Sequence, residues 1–263
     1  MTEVSGGSRS ELSVTDVSLT DARFSEIQVT RASFWRVRVR GAWIGEVEID
    51  GAVEGLRING VDVGPLVEAE LDRRHPDRAR MRPTDPAGFR EAWEVLESLW
   101  AGTVERARAL PPDLLHERVD GEWSFVQTLR HLLYATDVWV SRVMLGDPTP
   151  WHPLSLPFDE MPPDPAVPWD LAARPDLDAV LALRAERRAT VRRVLEGLTE
   201  ESLEGRTEPV DGPAWPPPDR YPVAECLLTV LNEEWQHRLY AERDLDVLAA
   251  RRGTAHHGTV RPR

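Results

Sequence analysis

The sequence contains no lysine, a single cysteine and no long apolar run. Without lysine, the chain cannot form a lysine Schiff base with a carbonyl substrate. The lone Cys226 excludes a disulfide within the chain and is typical of a reducing compartment, so we expect a cytoplasmic location. No apolar stretch approaches the roughly 20 residues that span a membrane, and the segment Met1–Leu12 is too polar for a signal peptide.

Positive charge is also scarce. The chain has 32 basic residues, all of them arginine, against 45 acidic ones, which gives a formal net charge of -13. Nucleic acids and anionic membranes bind basic surfaces, so we expect neither as a partner. By contrast, 41% of the residues are hydrophobic and 10 are tryptophan, so a chain of 263 residues can build one large domain or two modest ones.

Between residues 12 and 63, apolar residues recur every five positions. A first register contains large residues, and a second register two positions earlier contains mostly smaller ones. The first register is Val14, Leu19, Phe24, Val29, Phe34, Val39, Ile44 and Ile49, and the second is Leu12, Val17, Ala22, Ile27, Ala32, Val37, Ala42, Val47 and Ala52. Neither an α-helix nor a flat β-strand has this period, whereas a chain that turns a corner every five residues would place both registers inside.

This spacing resembles that of the pentapeptide-repeat family, whose fold is a right-handed quadrilateral β-helix. The resemblance implies a short β-solenoid over residues 12–65, with Phe24, Phe34, Ile44 and Ile49 in its interior. A short β-meander is the alternative. The repeat makes only two or three coils, so we expect a structural or docking module that needs capping at its open ends.

The chain after residue 85 carries the signals of helices. Asp85 and Ser124 are N-cap residues, the first followed by a proline at the first helical position and the second opening a capping box. A third helix begins after Asp176, and a fourth begins at Pro222. Four helices with one long connection, Asp147–Pro175 between the second and the third, are typical of a four-helix bundle with a crossover.

We therefore predict a multidomain protein of mixed α and β class, in which a quadrilateral β-helix precedes a four-helix bundle. The predicted parts are a disordered tail at 1–11, the solenoid at 12–65, a linker at 66–84, the bundle at 85–249 and a disordered tail at 250–263.

The last helix carries a carboxylate and an imidazole four residues apart, Glu233 and His237. Both lie on the apolar stripe of this helix, so we expect both to project into the core. A buried carboxylate without a partner is costly, and two partners are open here, a metal ion or a buried arginine. Arg184 and Arg187 interrupt the apolar stripe of the third helix and are the candidates for that arginine.

His131 lies in the second helix, beside its apolar stripe. Taken alone, such a histidine is more often a hydrogen-bonded core or surface residue than a metal ligand. With Glu233 and His237 it completes a set of two imidazoles and one carboxylate. That set is usual at catalytic zinc sites, where the fourth coordination position stays open.

Two short stretches, Gly121–Leu132 and Leu231–Arg238, resemble the DinB-like (DinB/YfiT) superfamily of metal-binding four-helix bundles. Its members typically carry one histidine on the second helix and two ligands four residues apart on the last. The Glu-x-x-x-His form found here is that of the mycothiol-dependent maleylpyruvate isomerase type. The resemblance covers residues 85–249 and implies a divalent metal, Zn²⁺ or another ion such as Ni²⁺, held by His131, Glu233 and His237.

In the resembled family the open metal position serves a small thiol. The resemblance therefore implies a metal-dependent S-transferase or isomerase that uses a low-molecular-weight thiol, such as mycothiol, to attack a small electrophile. A metal-assisted hydrolase and a non-enzymatic interaction scaffold with a structural metal are the alternatives. The expected partners are the small-molecule substrate and the thiol, and a homodimer is left open.

Five further side chains are weaker site candidates. An inward Arg184 or Arg187 would hold an acidic group of the substrate, unless it pairs with a carboxylate of the bundle. His152, on the long loop, is a weak catalytic candidate. Trp151 and Phe158 would form an apolar wall of the substrate cavity, although the anchoring of a long loop explains such aromatic residues as well.

Overall fold

The computed structural model describes residues 15, 17, 24–26, 29, 33–49, 51, 53–159, 161–162 and 164–257. The chain divides into two compact units, Met1–Ala52 and Val53–Arg263. The predicted tail at 1–11 and the last part of the predicted tail at 250–263, from residue 258 on, lie outside the described residues. The predicted domain boundaries stay predictions.

The prediction of a quadrilateral β-helix is wrong. The described residues of the first unit form no β-strand. Phe24, Phe34, Ile44 and Ile49, which were expected inside, are between 63% and 70% exposed. Part of the repeat, including the register residues Val14 and Leu19 and several alanines, lies outside the described residues.

The five-residue spacing nevertheless marks the backbone of this unit. Arg36, Gly41 and Glu46 all have positive φ angles, of 56°, 62° and 55°. A solenoid repeat buries its apolar face only against the coils stacked on either side of it. Because the described large apolar side chains of this unit are exposed, the five-residue period does not by itself produce a packed solenoid.

The second unit begins with a β-hairpin. Its strands, β1 (Arg57–Ile58) and β2 (Val61–Asp62), pair antiparallel. The two residues between them, Asn59 and Gly60, have φ angles of 52° and 83°, as a two-residue turn of this kind requires.

Four long helices form the body of the second unit. They are α2 (Pro86–Arg108), α3 (Phe125–Thr136), α4 (Leu177–Glu196) and α6 (Val223–His257), and two shorter ones are α1 (Gly64–Arg74) and α5 (Glu200–Leu203). Both α2 and α3 pack against α4 and α6, in agreement with the predicted four-helix bundle. Short 3₁₀ segments occur at Pro76–Met81 and Pro112–His116. Among the described residues, no helix combines the length and apolar composition needed to cross a bilayer.

Side-chain caps start three of these helices where the sequence predicts them. The Oδ1 atoms of Asp85 and Asp176 each accept a backbone N–H three residues further on, at 2.8 Å. Ser124 and Gln127 form both hydrogen bonds of a capping box at the start of α3. The capping box places His131 two turns into α3, at a position where its side chain is buried.

A π-helical segment, Asp137–Met144, continues α3. Its wider turn is shown by the N–H of Leu145, which donates to the carbonyl of Val140 at 3.0 Å. Asp137 and Arg142, five residues apart, are both only 1% exposed. Short π-helical segments occur frequently at functional sites, and here the segment turns two charged side chains inward.

The bundle core contains two large apolar clusters, both with buried tryptophan. Each large apolar side chain that is fully buried stabilises the fold by about 1.5–3 kcal/mol relative to exposure. One cluster contains Phe89, Trp93, Leu96, Val191, Leu227, Leu231 and Trp235, and a second contains Trp100, Leu129, Leu132, Leu133, Val180 and Leu245.

Two buried arginines hold the long connections of the bundle. Arg130 donates to the carbonyls of Leu154, Asp170 and Ala173 in the α3–α4 connection. Arg142 donates to Pro148 in that connection, and to the carbonyls of Val210, Gly212 and Pro213 before α6. Prediction from the sequence found only the first of these two long connections. Because each guanidinium satisfies several backbone acceptors, both connections are ordered against the helices.

Candidate metal centre

Three side chains from two helices converge. α3 provides His131, and α6 provides Glu233 and His237, one helical turn apart. The Oε2 atom of Glu233 lies 3.3 Å from Nε2 of His131 and 3.1 Å from Nε2 of His237. One atom from each residue can be chosen such that all lie within 4.8 Å of one another. The structure therefore brings together the three residues that the sequence nominates.

A backbone carbonyl orients the His131 ring. Nδ1 of His131 lies 3.0 Å from the carbonyl oxygen of Leu156. A carbonyl oxygen only accepts, so Nδ1 carries the hydrogen and donates it. In the neutral ring, Nε2 is then the free lone pair and faces Glu233. Metal-binding histidines almost always show this arrangement, with one nitrogen held by a carbonyl or carboxylate and the other free for the ion.

The centre requires positive charge between its members. Burial by itself raises the pKa of Glu233, but the hydrogen bonds and charges of His131 and His237 lower the pKa of this carboxyl to about 2. An ionised carboxylate that faces two imidazole nitrogens at little more than 3 Å is repelled by their lone pairs unless a cation or ring protons lie between them. Two nitrogens and one carboxylate oxygen are a donor set that Zn²⁺ and similar divalent ions accept.

Two of the three distances between ligand atoms fit an ion of this kind. Ligands about 2.0–2.2 Å from a tetrahedral Zn²⁺ lie about 3.4 Å from one another, close to the two nitrogen–oxygen distances of 3.3 and 3.1 Å. The Glu233 side chain is 29% exposed, whereas the side chains of His131 and His237 are 8% and 17% exposed. Solvent and small ligands therefore approach the centre on the carboxylate side.

Trp123 covers both imidazoles. Its ring centroid lies 4.4 Å from that of His131 and 5.8 Å from that of His237. The indole N–H donates to Asp159 at 3.2 Å, which joins this cover to the long α3–α4 connection. Trp123 was not nominated from the sequence, although it directly precedes Ser124, the N-cap residue of α3.

Of the two adjacent glutamates of α6, Glu234 is the fully buried one, not Glu233. Glu234 is 2% exposed and accepts two hydrogen bonds from Arg184, at 3.0 and 2.7 Å. Arg184 is 3% exposed, and its guanidinium lies 5.2 Å from the centre of the Trp100 ring. The sequence left either a metal ion or a buried arginine open as the partner of a buried carboxylate. Arg184 pairs with Glu234, and Glu233 faces the histidines.

Arg187 belongs to a chain of hydrogen bonds that leads to His131. It donates to Asp137 at 2.9 Å, and Asp137 accepts a second bond from the hydroxyl of Ser155 at 3.0 Å. Burial raises the pKa of Asp137 to about 6, while Arg187 and Ser155 oppose that rise. The residue after Ser155 is Leu156, whose carbonyl orients the His131 ring. This chain therefore holds the segment that aligns His131.

We predict that Ser155→Ala weakens metal binding by about tenfold, because a lost outer hydrogen bond at a metal site costs 10- to 100-fold in affinity. The measurement is a competition titration of the protein against a chromophoric zinc chelator. Ser202→Ala is the control, since Ser202 belongs to the remote capping box of α5. Equal zinc affinity in Ser155→Ala and the wild type would contradict a role for this segment.

The nominated residues of the long loop lie outside the three-residue centre. Trp151 and Phe158 surround Tyr134 with ring centroid distances of 6.1 and 6.3 Å, in a cluster that also contains Trp169. The ring of His152 is used locally, since its Nδ1 accepts the backbone N–H of Leu154 at 3.1 Å. Burial lowers the pKa of His152.

Tyr134 joins this aromatic cluster to the centre. Its ring centroid is 5.8 Å from that of His131, three residues earlier on α3. Burial raises the pKa of Tyr134, Arg142 opposes the rise and the nearby Glu233 carboxylate adds to it. Tyr134, like Asp137, was not nominated from the sequence. The available sequence signal for Asp137 was that an acidic residue directly precedes the apolar residues Val138, Trp139 and Val140 within a predicted helix.

Cys226 does not join the centre. It is fully buried, and burial raises the pKa of its thiol to about 11. A thiol in this state is a small apolar core group rather than a nucleophile. On α6 it lies almost two turns before Glu233.

Comparisons with known proteins point to one family. A model of the DinB superfamily matches residues 95–241, which is more than half of the chain and includes all three residues of the centre. No curated protein and no solved structure gives a match.

Proposed function

This chain belongs to the DinB superfamily, and from that premise we propose that it is a divalent-metal-dependent enzyme with a small thiol as co-substrate. The observation that carries the proposal is the convergence of His131, Glu233 and His237 on one point. A metal-assisted hydrolase is the alternative enzyme class. The chemistry in question is transfer of the thiol to a small electrophile, or an isomerisation that proceeds through such an adduct.

Each residue of the centre has a distinct task in this proposal. His131, aligned by Leu156, and His237 would supply neutral nitrogen donors. Glu233 would supply one negative charge, which partly offsets that of a divalent ion. When bound, such an ion lowers the pKa of a thiol at its open position, so that the nucleophilic thiolate is available at neutral pH. Trp123 shields the imidazoles from water, which strengthens electrostatic interactions at the centre.

The thiol part of the proposal is supported by the type of ligand motif. The pair on α6 is Glu-x-x-x-His, the form that resembles the mycothiol-dependent isomerase type within the superfamily. A centre with one carboxylate and two imidazoles carries a net charge of +1 with a divalent ion. That charge favours binding of an anion such as a thiolate.

The test is spectroscopic. We expect the purified protein to contain one equivalent of a divalent metal, and the cobalt-substituted protein to develop a sulfur-to-cobalt charge-transfer band with mycothiol or cysteine. Serine, which has oxygen in place of sulfur, is the matched control for cysteine and should give no such band.

The possible outcomes separate the alternatives. A cobalt protein whose spectrum is unchanged at saturating concentrations of both thiols contradicts the thiol part and favours the hydrolase. A protein that retains no metal after purification and takes up none on titration contradicts the metal part, and favours an interaction scaffold.

A further inference from the structure

Three hydrogen-bond donors of the aromatic cluster beside the metal centre have no acceptor in the described part of the chain. They are the hydroxyl of Tyr134 and the indole N–H groups of Trp151 and Trp169. Tyr134 is 3% exposed and Trp151 is 8% exposed. The Tyr134 and Trp169 ring centroids are 5.6 Å apart, and those of Trp151 and Trp169 are 5.5 Å apart. The three rings thus belong to one packed group beside the centre, whereas the unpaired indole N–H groups of Trp93, Trp100 and Trp235 lie in the other two apolar clusters.

An unpaired buried hydroxyl lowers stability. Removing a polar group from water without giving it a hydrogen-bond partner is unfavourable, and most buried polar groups in folded proteins have a partner. Phenylalanine would fill the same space at position 134 without that cost. A group that is costly to the fold, next to a candidate metal centre, is expected where function uses it.

The chemistry of the cluster restricts what it binds. An indole N–H only donates, and a phenol donates its single hydrogen. Arg142 lies beside the cluster, with its guanidinium 5.7 Å from the Trp151 ring centre. Arg142 donates to four backbone carbonyls and has no capacity to accept. The group therefore suits a ligand that presents oxygen acceptors.

We propose that Tyr134, with Trp151 and Trp169, forms a subsite for a carboxylate or carbonyl oxygen of the molecule that binds at the metal centre. This rests on the proposed function, since the subsite matters only if the centre holds a metal. Tyr134 is the principal donor because its ring contacts His131 directly. The aromatic faces of Trp151 and Phe158 would then line the apolar part of the same molecule.

The experiment uses acetate, the simplest organic carboxylate that carries a methyl group, as the probe. Cobalt-substituted wild type and Tyr134→Phe are titrated with acetate, and binding is followed by the visible absorption of cobalt. We expect Tyr134→Phe to bind acetate roughly tenfold more weakly, the effect of losing one hydrogen bond to a charged acceptor. The same variant should bind cobalt as tightly as the wild type, and its metal-free form should melt at the same or a higher temperature.

Tyr221→Phe is the matched control. The hydroxyl of Tyr221 has a protein partner, since it donates to the carbonyl of Pro217 at 2.7 Å. This variant should lose stability and keep the acetate affinity of the wild type, the opposite pattern to Tyr134→Phe.

The outcomes distinguish this proposal from the proposed function. If the wild type does not bind cobalt, the metal centre and the subsite both fail. If the wild type binds cobalt and acetate, and Tyr134→Phe binds acetate equally well, only the subsite fails. A lower melting temperature for metal-free Tyr134→Phe would also overturn it, because the hydroxyl would then have a structural role.

Discussion

Replacing Glu234 with alanine is expected to reduce the free energy of unfolding by about 3–5 kcal/mol, as found when one partner of a buried ion pair is removed. Arg184, 3% exposed in the wild type and with its guanidinium above Trp100, would be left with no carboxylate opposite it. The pair joins α4 to α6 across the bundle. Urea unfolding of the metal-free protein measures the effect.

A second variant tests whether the loss of stability comes from the unpaired charge of Arg184. Arg184→Met with Glu234→Leu replaces the pair by apolar side chains of similar length, and such replacements are often neutral or stabilising. We expect this double variant to recover most of the stability lost in Glu234→Ala. Glu233→Ala is the neighbouring control and should lose far less, because the Glu233 side chain is 29% exposed. Equal losses in Glu233→Ala and Glu234→Ala would contradict this division of roles.

Replacing Glu233 with glutamine is expected to leave the fold intact and to weaken metal binding by at least about a hundredfold. This is at or above the 10- to 100-fold loss of metal affinity that follows removal of an outer hydrogen bond. Glutamine keeps the shape of the side chain but removes the negative charge that offsets the ion. The affinity is measured by competition with a chromophoric chelator, and circular dichroism confirms the fold.

Asn232→Ala is the matched control for this variant. Asn232 is adjacent to Glu233 in sequence, is exposed and lies outside the three-residue centre. The Asn232→Ala protein should therefore bind zinc as tightly as the wild type. Wild-type affinity in Glu233→Gln would mean that the carboxylate does not hold the metal. In that case the pairing of Glu233 with the two histidines would have to depend on ring protons instead.

Helix starts and the candidate ligand set were predictable from the sequence because they depend largely on local rules. Asp85, Ser124 and Asp176 cap their helices through hydrogen bonds to residues only three positions away. Glu233 and His237 share a helix face because they are four residues apart. The resemblance to a family motif then linked this pair to His131, on another helix.

The first unit shows where a local pattern is insufficient. The period of five recurs in the backbone, where φ is positive at Arg36, Gly41 and Glu46, but the β-helix predicted from it is wrong. Whether the apolar residues become buried depends on other coils stacked against them. Phe34, at 70% exposure, has no such cover among the described residues.

The pairing of Arg184 with Glu234 was not predicted from the sequence. Adjacent residues on a helix point about 100° apart, and the apolar stripe of α6 is broad enough to include either. The position of Arg184 on α4 decides which glutamate is fully buried. That contact joins residues 50 positions apart in the chain.

The surroundings of the metal centre depend on the tertiary structure in the same way. The sequence determined that an imidazole at 131, a carboxylate at 233 and an imidazole at 237 are available on helices. Packing of the long connection decided that the Leu156 carbonyl aligns His131 and that Tyr134 lies beside Trp151. Hydrogen bonds and ring contacts between distant segments form only when the chain is folded, so spacing along the sequence carries no record of them.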